Sequence, residues 1–191
     1  TVTARAMGLT GLRTGALTDG AVERITVALE PTATLEGTVL SADGQTPAAA
    51  GRVVIYGAIG QTSFTASVDV ASDGSFHFED LRLGAYHMLV YDAADLLRAV
   101  FHDIVLSSNG EVVRRDATWV GLGSIAGRLL NPDSSSASGV SVQVQSLTAD
   151  VGRLHTTVTN AAGYYEVTGV AVGEFVLEAG DAARGLLAEA V

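Results

Sequence analysis

Ser72-Asp73-Gly74-Ser75-Phe76-His77-Phe78-Glu79-Asp80-Leu81-Arg82-Leu83-Gly84-Ala85-Tyr86-His87-Met88-Leu89-Val90 is the stretch that decides the fold. Asp73-Gly74 is a turn dipeptide, because glycine reaches positive φ without steric cost. Phe76 and Phe78 alternate with polar neighbours, which is the period of a strand with one buried face. Leu81 to Gly84 bends the chain, and a second strand opens on Tyr86. The series returns as Ala162-Gly163-Tyr164-Tyr165-Glu166-Val167-Thr168-Gly169-Val170-Ala171-Val172-Gly173-Glu174-Phe175-Val176-Leu177. Gly74 falls on Gly163 and Gly84 on Gly173, both at a spacing of 89 residues. Phe76 then matches Tyr165, Phe78 matches Val167, Leu81 matches Val170 and Tyr86 matches Phe175. The repeat predicts modules of roughly 90 residues, a common size for a β-sandwich.

Working outward, one complete module is predicted over residues 32–120. Its strands are Thr34–Leu40, Arg52–Tyr56, Thr62–Val70, Ser75–Glu79, Ala85–Tyr91, Leu96–Leu106 and Glu111–Trp119. Seven short strands between turn signals are the pattern of a two-sheet sandwich. Ala93 to Ala99 also suits a helical turn, since Ala, Leu and Arg favour helices. Residues 121–191 repeat the module without its last strand: Ser124–Leu130, with Gly127 on Gly37, then Val140–Gln145, Leu154–Thr159, Tyr164–Val167 and Glu174–Ala179. A Ser-rich loop covers Asn131–Ser138, and the chain runs out after Leu186-Leu187. Residues 1–31 read as the C-terminal part of an incomplete module. In it Val22–Leu29 alternates like a strand and lines up with Val112–Trp119 at a spacing of 90, and Asp19-Gly20 lines up with Asn109-Gly110. Val2–Ala6 and Leu12–Leu17 are two further expected strands. Glu30–Ala33 and Val120–Ser124, with Gly121-Leu122-Gly123, are the expected joints. The expected fold class is all-β, in tandem Ig-like antiparallel sandwich modules.

The 191 residues carry a formal net charge of −10, and 48% are hydrophobic, enough for a packed core in each module. An acidic surface repels phosphate backbones and anionic lipid, so neither nucleic acid nor a membrane surface is an expected partner. No apolar run reaches the roughly 18 to 20 residues of a membrane span. The chain opens on Thr1 with no charged-then-apolar leader, and is expected to be a processed or excised segment. There is no Cys, which excludes disulfides, thiolate metal sites and a thiol nucleophile. All 11 basic residues are Arg. Absence of Lys excludes Schiff-base chemistry and the phosphate-loop lysine.

No side-chain constellation rises above a structural explanation, and no catalytic, cofactor-binding or metal residue is assigned. His77 lies between Phe76 and Phe78 and should face outward. His77 and His87 could face each other across adjacent strands as a metal pair, but no third ligand follows at suitable spacing. The other two histidines are His102 and His155. Asp19, Asp43, Asp73 and Asp133 sit in turns and lack the spaced series of a calcium loop. Glu79 and Asp80 are adjacent, so they diverge on a strand rather than pair for hydrolysis. Ser134-Ser135-Ser136 lacks the Gly-x-Ser-x-Gly context of a nucleophile. Gly121-Leu122-Gly123 opens no dinucleotide motif. Trp119, Tyr56, Tyr91 and Tyr165 read as core, while Tyr164 should point outward, free to stack on a sugar.

Four segments recur in order: Glu36–Leu40, Gly51–Tyr56, Asp73–Phe78 and Leu81–Tyr86, then Ala126–Leu130, Gly139–Val144, Ala162–Val167 and Val170–Phe175. This pattern resembles the carboxypeptidase regulatory-like (transthyretin-like, or prealbumin-like) β-sandwich repeat over nearly the whole chain. The resemblance implies a non-catalytic domain, found in tandem in secreted and surface proteins of bacteria or beside enzymes. It transfers no catalytic residue, because the shared positions are core and turn residues. Collagen-adhesin relatives lock themselves with a Lys–Asn bond, which a chain without Lys cannot form. The expected role is a stalk or scaffold of an extracellular or cell-surface bacterial protein, with neighbouring modules, identical subunits, glycans or surface proteins as partners. The alternatives are a carbohydrate-binding or accessory module of a secreted enzyme, and a filament subunit in which Val22–Leu29 completes the last module of the next copy.

Overall fold

A computed structural model describes residues 1–6, 9–59, 62–181 and 186–190, with the side chains of residues 6, 10, 59, 62, 181 and 186–190 left outside the description. Every regular element among the described residues is a strand. The chain forms two compact units, Thr1–Trp119 and Val120–Val191.

In the first unit one sheet is built around β3 (Glu30–Leu40). β6 (Ser75–Arg82) pairs antiparallel along one of its edges. β9 (Val112–Arg114) and β10 (Ala117–Thr118) lie parallel along the other. The hairpin β1 (Val2–Ala6) and β2 (Leu9–Arg13) joins the start of β3 through Leu9 opposite Pro31. The second sheet has the order β5 (Thr62–Asp69), β4 (Arg52–Ile59), β7 (Gly84–Tyr91), β8 (Leu97–Leu106), all antiparallel. Between the sheets lie Leu35, Phe76 and Phe78 from the first, and Ile55, Tyr86 and Met88 from the second. Each such buried side chain contributes about 1.5–3 kcal/mol relative to exposure. The Tyr86 hydroxyl is satisfied by donating to the Arg82 carbonyl at 2.6 Å.

The second unit repeats this plan. β11 (Leu122–Arg128) pairs antiparallel with β14 (Tyr164–Ala171) as β3 does with β6, and both pairs carry a register shift near the start of the opening strand. The facing sheet has the order β13 (Leu154–Val158), β12 (Ser141–Ser146), β15 (Phe175–Asp181), β16 (Leu186–Ala190). Val142, Val144, Val167 and Val170 form its centre. All four repeat matches hold: Phe76, Phe78, Leu81 and Tyr86 are buried, as are Val167 and Val170, while Tyr165 and Phe175 are half-buried.

The turns repeat atom for atom. Gly74 N donates to Ala71 O and Ala71 N to Ser75 O, as Gly163 N donates to Asn160 O and Asn160 N to Tyr164 O, all at 2.9 Å. Gly74 and Gly163 have φ of 80° and 78°. A Cβ on either would stand 2.6 Å from the Val39 carbonyl oxygen or 2.5 Å from that of Leu129. The approach is held by the backbone: Val39 N and Leu129 N donate to the Gly74 and Gly163 carbonyls at 2.7 and 2.9 Å.

Several expectations are corrected. Val22–Leu29 forms no strand; residues 14–29 lie outside every ladder. Its counterpart Val112–Trp119 pairs along β3, whereas Val22–Leu29 enters no ladder, although its Ala28 carbonyl packs closely against Gly11 of β2. The second early strand is Leu9–Arg13 rather than Leu12–Leu17. Glu111–Trp119 is two short strands, because the Asp116 carboxylate takes the Thr38 N–H at 2.8 Å and interrupts the ladder. Ala93 and Ala94 form a turn, not a helix or strand, since the Asp92 carboxylate accepts from Ala94 N and Leu96 N at 2.9 and 3.0 Å.

Two glycine substitutions separate the causes of strain. Gly44 has φ of 69° but open space around it, whereas Gly74 has positive φ and a crowded Cβ position. Gly44→Ala should cost about 1 kcal/mol in urea unfolding, and Gly74→Ala roughly 2–3 kcal/mol, the excess being the lost approach to β3. Equal costs would show that the approach is not a constraint.

Candidate functional site

The side chains singled out in the sequence do not converge. His77 is exposed, as its alternation predicts, with Nε2 3.1 Å from Glu79 Oε1 and Nδ1 3.5 Å from Glu36 Oε2. It does not meet His87, because β6 and β7 belong to different sheets. His87 instead meets His102, with Nδ1 atoms 3.2 Å apart, and stacks on Tyr56 at 5.0 Å. His155 stands opposite Val144, and burial, with Arg153 nearby, pushes its pKa down. Among the described residues no three His, Asp or Glu side chains gather as a metal site. Among the described residues no helix is long and apolar enough to cross a membrane.

The turn carboxylates are engaged in holding their own loops. Asp73 accepts from Ser75 Oγ and N at 2.6 and 3.0 Å, and Asp133 accepts from Ser135 Oγ and N at the same distances. Asp43 accepts from Gln45 N and Thr46 N at 2.9 and 2.8 Å. Hydrogen bonds from the Thr46 and Ser75 hydroxyls and the backbone N–H groups hold Asp43 and Asp73 below the usual carboxylate range. Asp80 pairs with Arg5 at 3.0 Å, away from Glu79, which faces His77. Ser134-Ser135-Ser136 closes the β11–β12 loop, with Ser134 at φ of 67°.

Tyr164 does point outward and is 54% exposed. One face of its ring is covered by the Arg128 guanidinium at 5.4 Å. That guanidinium is fixed by donating to Ala162 O and Ser136 Oγ at 3.0 and 2.9 Å. An open groove of about 560 Å³ runs beside it, lined by Gly127, Arg128, Tyr164 and Tyr165 among others. Tyr91 lies under Arg52 and Trp119 under Arg98.

The most distinctive feature is a backbone edge. In unit 1 the outer edge of β3 is saturated: Thr34 N donates to Glu111 O and Arg115 N to Glu36 O, both at 2.8 Å, and Trp119 N donates to Leu40 O at 2.9 Å. Gly37 permits this, since a Cβ there would stand 2.0 Å from the Arg115 carbonyl oxygen. In unit 2 the matching strand β11 has only β14 beside it among the described residues. The inward positions show the consequence. Leu35 and Val39 are 0% exposed, while their counterparts Ile125 and Leu129 are only half-buried. Thr34, Glu36 and Thr38 are half-buried, whereas Ser124, Ala126 and Arg128 are exposed. Over Gly127, which matches Gly37, stands the Tyr165 ring instead of a backbone carbonyl.

Sequence reasoning missed one interior ion pair. Arg98 Nη1 lies 2.6 Å from Asp92 Oδ2, and both side chains are 11% exposed. Burial raises the Asp92 carboxyl, but hydrogen bonds from Arg98, Leu96 N and Ala94 N outweigh it and hold the pKa below the usual range. Only the Asp-x-x-x-x-x-Arg spacing hinted at it, a pattern too common to single out.

No known protein family matches the chain. A stretch of 80 residues, 39% of the chain, is 36% identical to part of halomucin from Haloquadratum walsbyi, and spans 1% of that protein's length. Among solved structures, the Streptococcal ancillary pilin is similar over 90% of this chain and 65% of its own, at 12% identity and a TM-score of 0.43. The Bacillus anthracis TIE protein is similar over 95% of this chain and 38% of its own, at 13% identity and a TM-score of 0.37. Shaft pilin SpaA of Lactobacillus rhamnosus GG is similar over 78% of this chain and 87% of its own, at 11% identity and a TM-score of 0.32.

The Asp92 carboxylate gives a pH-dependent prediction. Its folded pKa is depressed, so its stabilisation is present above the unfolded value near ~3.9 and is lost as pH falls through the lower folded value. Asp92→Asn should therefore cost roughly 2 kcal/mol at pH 7. The difference from the native chain should shrink below about pH 4. Urea unfolding at pH 7 and pH 3 measures both; a pH-independent cost would place the effect in packing instead.

Proposed function

We propose that this chain is a non-catalytic structural and adhesive segment of an extracellular or cell-surface protein, a stalk built of tandem sandwich modules. The observation that carries this reading is where the repeated residues lie. The motif that recurs at 89 residues supplies the interior of both sandwiches and two matching turns, and its remaining polar groups bind their own loops. A chain that repeats its core and varies its surface is built to extend. The short run from Thr118 at the end of β10 to Leu122 at the start of β11 leaves no long linker between units. The net charge of −10 keeps such an array hydrated and apart from like surfaces. The shared stretch with halomucin and the resemblance to carboxypeptidase regulatory-like repeats support the same reading.

Antibodies against this chain should label intact source cells, and external protease should remove the epitope before lysis. Labelling that needs permeabilised cells would sink the surface role.

A second reading rests on exposed Tyr164 beside its groove. Arg128 leaves one ring face free for a sugar. A glycan array would then show binding that Tyr164→Ala reduces by about tenfold or more, the loss of one stacking contact. Flat binding across the array removes this reading and leaves the structural one intact.

A further inference from the structure

His87 and His102 make a contact that the repeated core does not require. Tyr86, Met88 and Val90 of β7 are buried between the sheets, so alternation turns His87 to the outer face. Tyr56 stands opposite it on β4, with the two rings stacked at 5.0 Å and inclined by 25°. On its other side the ladder is irregular. Between the pairs Tyr86–Ile104 and Met88–Phe101, the single residue His87 faces two residues of β8, His102 and Asp103. Asp103 takes up the extra residue at φ of 56°, and the Nδ1 atoms of His87 and His102 lie 3.2 Å apart. Unit 2 builds the same ladder without these rings. Gln145 stands at the place of Tyr56 and Val176 at the place of His87, and they pair in the same way. The fold therefore has no need of the cluster.

We propose that His87 and His102 together chelate a divalent late-transition ion of the Zn²⁺ and Cu²⁺ class on the outer face of this sheet. Two imidazole nitrogens bound to a tetrahedral ion at roughly 2.0–2.1 Å stand about 3.3 Å apart. The observed 3.2 Å already matches that bite, so a small rotation of the rings aims both lone pairs at one ion. The ion replaces the hydrogen that one Nδ1 shares with the other, and that ring carries its proton on Nε2 instead. The ladder and the Tyr56 stack hold His87 near this geometry before any ion arrives, which lowers the ordering cost of binding.

The donor set selects the class of ion. Imidazole suits Zn²⁺, Ni²⁺ and Cu²⁺, whereas Ca²⁺ and Mg²⁺ require sets of oxygens. The net charge of −10 draws cations towards the chain. No third His, Asp or Glu joins the pair among the described residues, so the remaining positions of the ion are left to water or to a donor from another molecule. His77 offers no such bite, because its two nitrogens face Glu79 and Glu36 on opposite sides of one ring. The site goes beyond the stalk role, which needs no metal.

Calorimetric titration of Zn²⁺ into the whole untagged chain tests this. Saturable uptake is expected, and His87→Gln and His102→Gln should each weaken it by about tenfold or more. His77→Gln, on the other sheet, should leave it unchanged. Both rings of the pair reach the surface, and circular dichroism verifies that each variant is folded. Cu²⁺ supplies the decisive readout: electron spin echo modulation should report two coordinated imidazoles in the native chain, and the ring protons of His87 and His102 should broaden first in NMR spectra. Excess Ca²⁺ should not displace Zn²⁺. Absence of uptake at millimolar Zn²⁺ overturns the proposal, as does uptake unchanged in both pair variants. A Cu²⁺ signal with one imidazole, or displacement by Ca²⁺, overturns it too, the latter by assigning the ion to carboxylates. None of these results bears on surface labelling of cells, so failure here and failure of the surface role are distinguishable.

Discussion

The parallel ladder along the outer edge of β3 is the constraint on which the rest of unit 1 depends. It saturates the opening strand, caps the sandwich at that side and brings Ala117 and Trp119 over the core. The close approach has one requirement: a glycine at position 37, beneath the Arg115 carbonyl. Where that ladder exists, Leu35 and Val39 leave solvent altogether. Beside β11 no such ladder lies among the described residues, and Ile125 and Leu129 there are half-buried. Burial is thus a property of the neighbouring strand before it is a property of the side chain. The hydrophobic effect rewards only the area that a backbone partner makes it possible to remove from water.

The parts of the fold legible in the sequence were those dictated locally. Positive φ selects glycine at 74 and 163, and a two-sided strand selects alternation around Phe76 and Tyr165. Both signals survive in a bare sequence, and both are where the structure places them. Strand ends were less legible, because a ladder stops where its partner stops. Val22–Leu29 carries the alternation of a strand and forms none, since periodicity specifies a face and not a neighbour. The break at Arg115–Asp116 was hidden for a different reason: a carboxylate takes over one backbone hydrogen bond, and no composition rule marks which Asp will do so.

Side-chain partners across strands were the least legible. His87 meets His102 because the β7–β8 register slips between Tyr86 and Met88, with Asp103 at φ of 56° on the facing strand. One extra residue on one strand turns a whole set of side chains to new neighbours. The Arg98–Asp92 pair depends in the same way on a turn closed by the Asp92 carboxylate itself, which brings the guanidinium back over the carboxylate and against Trp119. Arg98 lies beneath the last strand of the module, so its charge is balanced within unit 1 and does not define a ligand site.

These features explain why motif searching finds no chemistry in this chain. The carboxylates that look available are hydrogen-bonded within their turns, His77 and His155 lie on other sheets than the touching pair His87 and His102, and the best-placed tyrosine is half covered by Arg128. Among the described residues β11 pairs with β14 alone, and the N–H and C=O groups along the outer side of such a strand repeat every second residue whatever the side chains are. Such an edge is invisible as a motif and specific as a surface, because register is imposed by the alternation of Ile125, Gly127 and Leu129 against whatever strand arrives.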